Sequence, residues 1–117
     1  MWAVEVSDAF VSWWNELTEQ EQDDATAVIE LLQERGVQLR FPLSSGIEGS
    51  RHAHMRELRI QSHGDPIRIL YAFDPRRVAV LLIGGIKTGK GNRFYREMVP
   101  VADRLYDEHL QSLERGR

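Results

Sequence analysis

Apolar positions along the chain change period near its middle, and that change divides it into a helical part and a sheet part. Phe10, Trp13, Trp14 and Leu17 recur at i, i+3, i+4 and i+7, the stripe of an amphipathic helix, with Ser7 or Asp8 as its cap. Thr18-Glu19-Gln20-Glu21 has the form of a capping box opening a second helix, whose Ala25, Val28, Ile29 and Leu32 share one face and which Gly36 should stop. The two helices are expected as an antiparallel pair meeting at Leu17–Thr18. Met1 to Val6 alternates enough for a short first strand, with no basic leader of a signal segment. Residues 37–54, with Pro42, Ser44, Ser45, Gly46, Gly49 and Ser50, read as a loop.

From His54 the period becomes two. Leu58 and Ile60 take one face of a strand, and Glu57 and Arg59 the other. Ser62-His63-Gly64-Asp65 is a turn. In the next strand Ile67, Ile69, Tyr71 and Phe73 point one way, and Arg68, Leu70 and Ala72 the other. After the connection Asp74-Pro75-Arg76-Arg77, Val78 to Ile83 is apolar on both faces, which predicts a central buried strand. Gly84-Gly85 is expected to end or bend it. Phe94, Met98, Val101, Leu105 and Leu110 then recur at near-helical spacing, with Pro100 predicting a break or a kink. The fold class expected is α+β in the order β-α-α-β-β-β: a small, mostly antiparallel sheet packed on an N-terminal helix pair, with a C-terminal helix. The whole chain, 1–117, is expected as one domain.

Charge sharpens this picture. The net charge is only −3, yet residues 1–50 hold ten acidic and two basic side chains, and residues 51–96 hold three acidic and ten basic. A basic middle between acidic ends is compatible with an anionic partner, which the total would argue against. The chain has no cysteine, which excludes disulfides and thiolate metal sites and is compatible with a cytoplasmic location. No apolar run approaches the roughly 18 residues of a membrane span, so no membrane partner is expected.

Arg56 and Arg59 on one strand, Arg68 on the next, and Lys87, Lys90 and Arg93 after the last can converge on one side of the sheet. Arg68 stands out because it interrupts an apolar strand, where a cation needs a carboxylate, water or a ligand anion. Glu57 on the neighbouring strand is an available partner, so a purely structural cross-strand pair is the competing reading. The glycine-rich stretch Gly84–Gly91 lacks the spacing and the terminal Lys-Ser/Thr of a nucleotide-binding loop, but its amides and lysines suit a phosphate. His52, His54, His63 and His109 show no metal-ligand spacing. His54 or His63 is a fallback proton carrier.

The order of elements, with Met55-Arg-Glu-Leu-Arg-Ile60, Arg68-Ile-Leu-Tyr-Ala-Phe-Asp-Pro75, Leu81-Leu-Ile-Gly-Gly-Ile-Lys87 and Phe94-Tyr95, resembles the RelE/ParE toxin superfamily, and within it the phage-derived, HigB-like branch. The resemblance implies the toxin of a type II toxin–antitoxin system. It implies a metal-independent, cofactor-free endoribonuclease that cuts mRNA on the ribosome and inhibits translation. The implied partners are mRNA, the ribosome and a cognate antitoxin, often a helix-turn-helix DNA-binding protein. Family site positions carry over to Arg59, Arg68 and Lys87 as catalytic residues, with Arg56, Lys90, Arg93 and Tyr95 as RNA contacts.

Arginine stays charged, so Arg59 and Arg68 would hold the scissile phosphate rather than take a proton. Lys87 or Lys90 is the expected general base, and Tyr95 either stacks on a base, donates a proton or packs in the core beside Phe94. Several family members end in a strand carrying a tyrosine or histidine that completes the site; this chain is expected to end in a helix instead, so the general acid is unassigned. Two alternatives share the fold: a ParE-like inhibitor of DNA gyrase without chemistry, and an inactive module that only binds an antitoxin.

Overall fold

The computed structural model describes residues 1–116. Its strands and helices are β1 (Val4–Val6), α1 (Asp8–Trp14), α2 (Glu19–Arg35), β2 (Ser44–Gly46), β3 (Arg56–Ser62), β4 (Asp65–Phe73), β5 (Ala79–Ile86) and α3 (Asn92–Arg115). β3, β4 and β5 form the expected antiparallel meander. β1 joins β5 in parallel and β2 joins β3 antiparallel, giving one sheet in the order β1-β5-β4-β3-β2. No helix among the described residues is long and apolar enough to cross a membrane.

Strand alternation separates two cores. Leu58, Ile60, Ile67, Ile69, Tyr71 and Leu81 meet Phe10, Val28 and Leu32 of α1 and α2 on one face. Leu70, Ala72, Val80 and Leu82 meet Phe94, Val99, Ala102 and Tyr106 of α3 on the other. Each large apolar side chain removed from water contributes roughly 1.5–3 kcal/mol, so the two faces, rather than any single bond, hold the layers together. The capping box is formed: Thr18 Oγ1 accepts from the Glu21 amide at 3.2 Å, and Glu21 Oε1 accepts from the Thr18 amide at 2.8 Å.

Several expectations are narrowed or changed. Within the loop expected over 37–54, Ser44–Gly46 forms an edge strand, a polar triplet without alternation that backbone pairing and a buried Ser44–Tyr71 hydroxyl bond of 2.6 Å hold in place. The expected helix pair is present, with Phe10 of α1 and Val28 and Leu32 of α2 in one core and Gln22 Nε2 of α2 donating to the Trp14 carbonyl at 3.0 Å. α1 ends at Trp14, leaving Leu17 outside it, and α1 packs mainly on β5 and α2 mainly on β3.

Gly84-Gly85 does not end its strand, which runs on to Ile86. A Cβ at Gly84 would stand 2.4 Å from the Trp13 ring, and one at Gly85 2.9 Å from Phe94, so the glycines let an aromatic ring from each layer reach the backbone. α3 continues through Pro100, which is exposed, so water can satisfy the Arg96 carbonyl that has no amide to accept from. Finally, the buried stripe of α3 passes through Val99, Ala102 and Tyr106, with Val101 only half-buried.

Candidate functional site

The β3–β4 register puts Arg59 directly opposite Arg68 and Glu57 opposite Leu70. Leu70 belongs to the core under α3, so alternation sends Glu57, Arg59 and Arg68 to that same face. The first turn of α3 adds Tyr95, and the end of β5 leads to Lys87, whose amide is fixed on the Pro66 carbonyl at 2.8 Å.

Glu57 is the centre of this cluster and is only 2% exposed. Its Oε1 accepts from the Tyr95 hydroxyl at 2.8 Å and its Oε2 from Arg59 Nη1 at 3.1 Å. Arg68 Nε lies 3.7 Å from Oε1, an ion pair too long for a hydrogen bond. That Nε is buried and has no hydrogen-bond partner, while Arg68 Nη1 donates to the Ile67 carbonyl at 3.2 Å. A buried guanidinium with an unused donor is costly in a purely structural pair and is the arrangement expected of a group that waits for an anion. Lys87 Nζ stands 5.1 Å from the centroid of the Tyr95 ring as a cation over its face. Burial, followed by the neighbouring Glu57 carboxylate, raises the pKa of Tyr95 above its ordinary value of 10.0, so the phenol keeps its proton.

Glu57 and Tyr95 form part of the floor of a cleft of about 450 Å³. Gly46, Ile47 and Glu48 form one wall and Asn92 and Arg96 of α3 the other. The cluster thus combines two cations for a phosphate, a carboxylate that can take a proton and a phenol that can give one. Among the described residues, no group of three or more histidine, aspartate or glutamate side chains is placed to hold a metal ion.

Of the residues singled out in the sequence, Arg59, Arg68, Lys87 and Tyr95 come together. Lys90 and Arg93 do not join them; both face Glu97, at 3.9 and 3.4 Å. Arg56 follows the parity of Leu58 and lies over the opposite face, its Nε donating to Ser44 Oγ at 3.0 Å. His54 contacts Tyr106 at 3.3 Å, and His63 sits in the β3–β4 turn at φ 50°, so neither reaches Glu57. In the sequence Glu57 is visible as an available partner for Arg68 and as a neighbour of Arg59 on one strand face, but not as a site residue. The signal that finds it is its parity with Arg59, which places a carboxylate among cations on the face that α3 covers. Arg96 carried no such signal, because its approach to the cleft depends on how α3 is set on the sheet.

Comparison with known proteins gives a consistent family. Residues 12–107 match the model of the phage-derived Gp49-like proteins. The chain is 40% identical over 114 residues to putative toxin HigB2 of Mycobacterium tuberculosis, which is 97% of this chain and 56% of that protein; it therefore spans little more than half of that relative. It is 38% identical over 104 residues to putative toxin HigB3 of the same organism, covering 89% of this chain and 90% of that one. The fold is similar to a chain of the intact E. coli RelBE toxin–antitoxin complex, with a TM-score of 0.54 at 10% identity over 73% of this chain and 95% of that one. It is equally similar to a chain of the archaeal RelE–RelB complex from Pyrococcus horikoshii, with a TM-score of 0.54 at 13% identity over 75% and 97%. At these identities the structural likeness concerns the fold alone.

Proposed function

The chain belongs to the family of phage-derived Gp49-like proteins, and from that premise we propose that it is the toxin of a type II toxin–antitoxin pair, a metal-independent endoribonuclease that cuts mRNA on the ribosome. The observation that carries the reading is the buried Glu57 carboxylate flanked by Arg59, Arg68 and Tyr95. The names of its relatives support the toxin assignment.

In this reading the RNA 2′-hydroxyl gives its proton to Glu57 and its oxygen attacks the adjacent phosphorus. Arg59 and Arg68 swing their attraction from Glu57 to the phosphate and stabilise the charge that grows on it. The bond from phosphorus to the 5′-oxygen breaks, leaving a 2′,3′-cyclic phosphate. Tyr95, still a phenol at neutral pH, supplies the proton to the departing 5′-oxygen. Lys87, over the same ring, stabilises the phenolate that remains. Glu57 replaces Lys87 and Lys90 as general base because it is the carboxylate inside the cluster. Lys90 faces Glu97 instead.

Ribosome dependence and silencing by a cognate antitoxin belong to the same proposal. A chain with an acidic first half has a weaker electrostatic hold on free RNA than a basic protein, so placement by the ribosome fits its charge. Induced expression, with and without a co-expressed neighbouring antitoxin, tests it. Growth arrest with cleaved transcripts, relieved by the antitoxin, is expected. Arrest with intact transcripts and a DNA-damage response overturns the ribonuclease in favour of a gyrase poison; no arrest leaves an inactive binding module.

A further inference from the structure

A second cavity, of about 390 Å³, lies at the outer edge of β3 beyond the end of β2 and shares Arg59 and Arg68 with the cluster around Glu57. β2 pairs with β3 no further than Ser44 with Leu58, and the Arg59 amide closes on the Leu43 carbonyl at 2.8 Å. The register sets Gln61 opposite Pro66, which has no N–H and whose carbonyl is taken by Lys87. Gln61 and Pro66 are therefore a pair without mutual hydrogen bonds, and in an antiparallel ladder the N–H and C=O of such a residue turn outward. At Gln61 the outward side is the open edge, where β2 no longer runs. A donor and an acceptor stand side by side there, beside the exposed Gln61 amide.

The walls describe the occupant. Pro42 and Leu43 give one apolar side. Asp24 of α2 gives an acidic side with one oxygen already accepting from Gln20 at 2.9 Å, which repels a second phosphate and suits an exocyclic amine. Next in sequence to Pro42, the Phe41 ring is 71% exposed, with the Arg59 guanidinium over it at 5.3 Å from the centroid. One guanidinium thus links Glu57 to an aromatic ring left in water. A flat, neutral group with a hydrogen-bonding edge, attached to a phosphate at Arg59 and Arg68, meets all of these surfaces.

We propose that the open edge of β3 is a nucleobase subsite: the base adjoining the scissile phosphate stacks on Phe41, beside Arg59, and presents its edge to Gln61 and Asp24. This rests on the ribonuclease reading and extends it to what the enzyme selects, a base bearing an exocyclic amine over one that lacks it.

The test uses the full chain and a fluorescein-labelled single-stranded RNA hexamer methylated at every 2′ position, which binds but is not cut. Fluorescence anisotropy at low salt should show affinity falling about 5- to 100-fold for Phe41→Ala, the range of one lost base stack. Phe41→Trp should keep the affinity and show quenching on titration beyond that of the parent's three tryptophans. Hexamers of adenine or cytosine should bind the parent better than hexamers of uracil, and Asp24→Asn should narrow that difference.

Phe41→Ala with unchanged melting temperature and parental affinity overturns the subsite, as does a parent that binds no hexamer. If the parent still cuts mRNA on ribosomes, the ribonuclease reading survives that result; if it cuts nothing, both fall. A Phe41→Ala variant that loses the antitoxin but not RNA assigns the edge to the protein partner and overturns the proposal.

Discussion

Arg59 and Arg68 are direct partners in the β3–β4 ladder, two like charges on one face with the buried Glu57 carboxylate beside them. Like charges placed directly opposite destabilise a sheet, by an amount of the same order as the roughly 0.2–1 kcal/mol that a good pair contributes. Glu57 offsets part of that cost but leaves Arg68 Nε without a hydrogen bond. On the proposed function this cost is explained by a phosphate that the two cations would hold, since working sites commonly trade stability for charge placement.

Arg68→Met separates these two roles. The substitution removes the buried cation and its unused donor while Glu57 keeps Arg59 and Tyr95. We expect a melting temperature within about 5 °C of the parent, a change on the order of 1 kcal/mol, together with a loss of mRNA cutting of about 100-fold or more. Thermal melts beside cleavage assays check this. A variant that fails to fold but cuts in proportion to its folded fraction would mark Arg68 as structural.

Glu57→Gln keeps the shape of the side chain and removes its basicity. The rate of cutting should fall about 10²- to 10⁴-fold, measured as single-turnover cleavage on programmed ribosomes, with substrate affinity little changed. Tyr95→Phe should slow the same step and remove an alkaline limb from the pH–rate profile. Because burial and Glu57 raise the Tyr95 pKa, that limb in the parent lies above pH 10.0. An identical profile in the phenylalanine variant would take the proton donation away from Tyr95.

Much of this architecture was legible because it depends on local pattern. The capping box of Thr18 and Glu21, the two-sided β4 and the apolar β5 follow from period and composition. β2 was not legible, since Ser44-Ser45-Gly46 has no alternation and pairs through its backbone and one buried hydroxyl. Gly84-Gly85 read as an end or a bend because the rings of Trp13 and Phe94 that occupy their missing side-chain space come from distant segments. In the site, strand parity was enough to unite Arg59 and Arg68, and the same parity, applied to Arg56, would have placed it on the far face. The pairing of Lys90 and Arg93 with Glu97 required the start of α3, which a glycine-rich loop hides.

Gly84→Ala is expected to destabilise the protein by about 1–3 kcal/mol through overpacking. The new Cβ meets the Trp13 ring at 2.4 Å, and α1 has no room to retreat without opening the core around Phe10. Gly85→Ala should cost less, because Phe94 stands further off at 2.9 Å. Urea titrations of the two variants check the order; equal midpoints to the parent would show that the rings move aside freely.

Acid stability should depend on Asp74 in the β4–β5 turn. Burial raises its pKa, but bonds from Arg76, His109 and the amides of Val78 and Arg76 outweigh burial, leaving it below the ordinary 3.8. The folded value is the lower one, so this contribution is fully present above the unfolded pKa and is lost as pH falls through the folded value. Asp74→Asn should lower stability at neutral pH and flatten its decline below about pH 4. Denaturant midpoints from pH 7 to pH 2 measure both effects, and parallel curves for parent and variant would contradict the assignment.

The central claim is that Arg59, Arg68 and Glu57 cut RNA, and mapping mRNA 5′ ends in a cell-free translation reaction tests it most directly. The purified chain should produce new 5′-hydroxyl ends only when ribosomes are translating, and Arg68→Ala of the same fold should produce none. Intact mRNA with the correctly folded parent, or the same cuts with Arg68→Ala, would contradict the account.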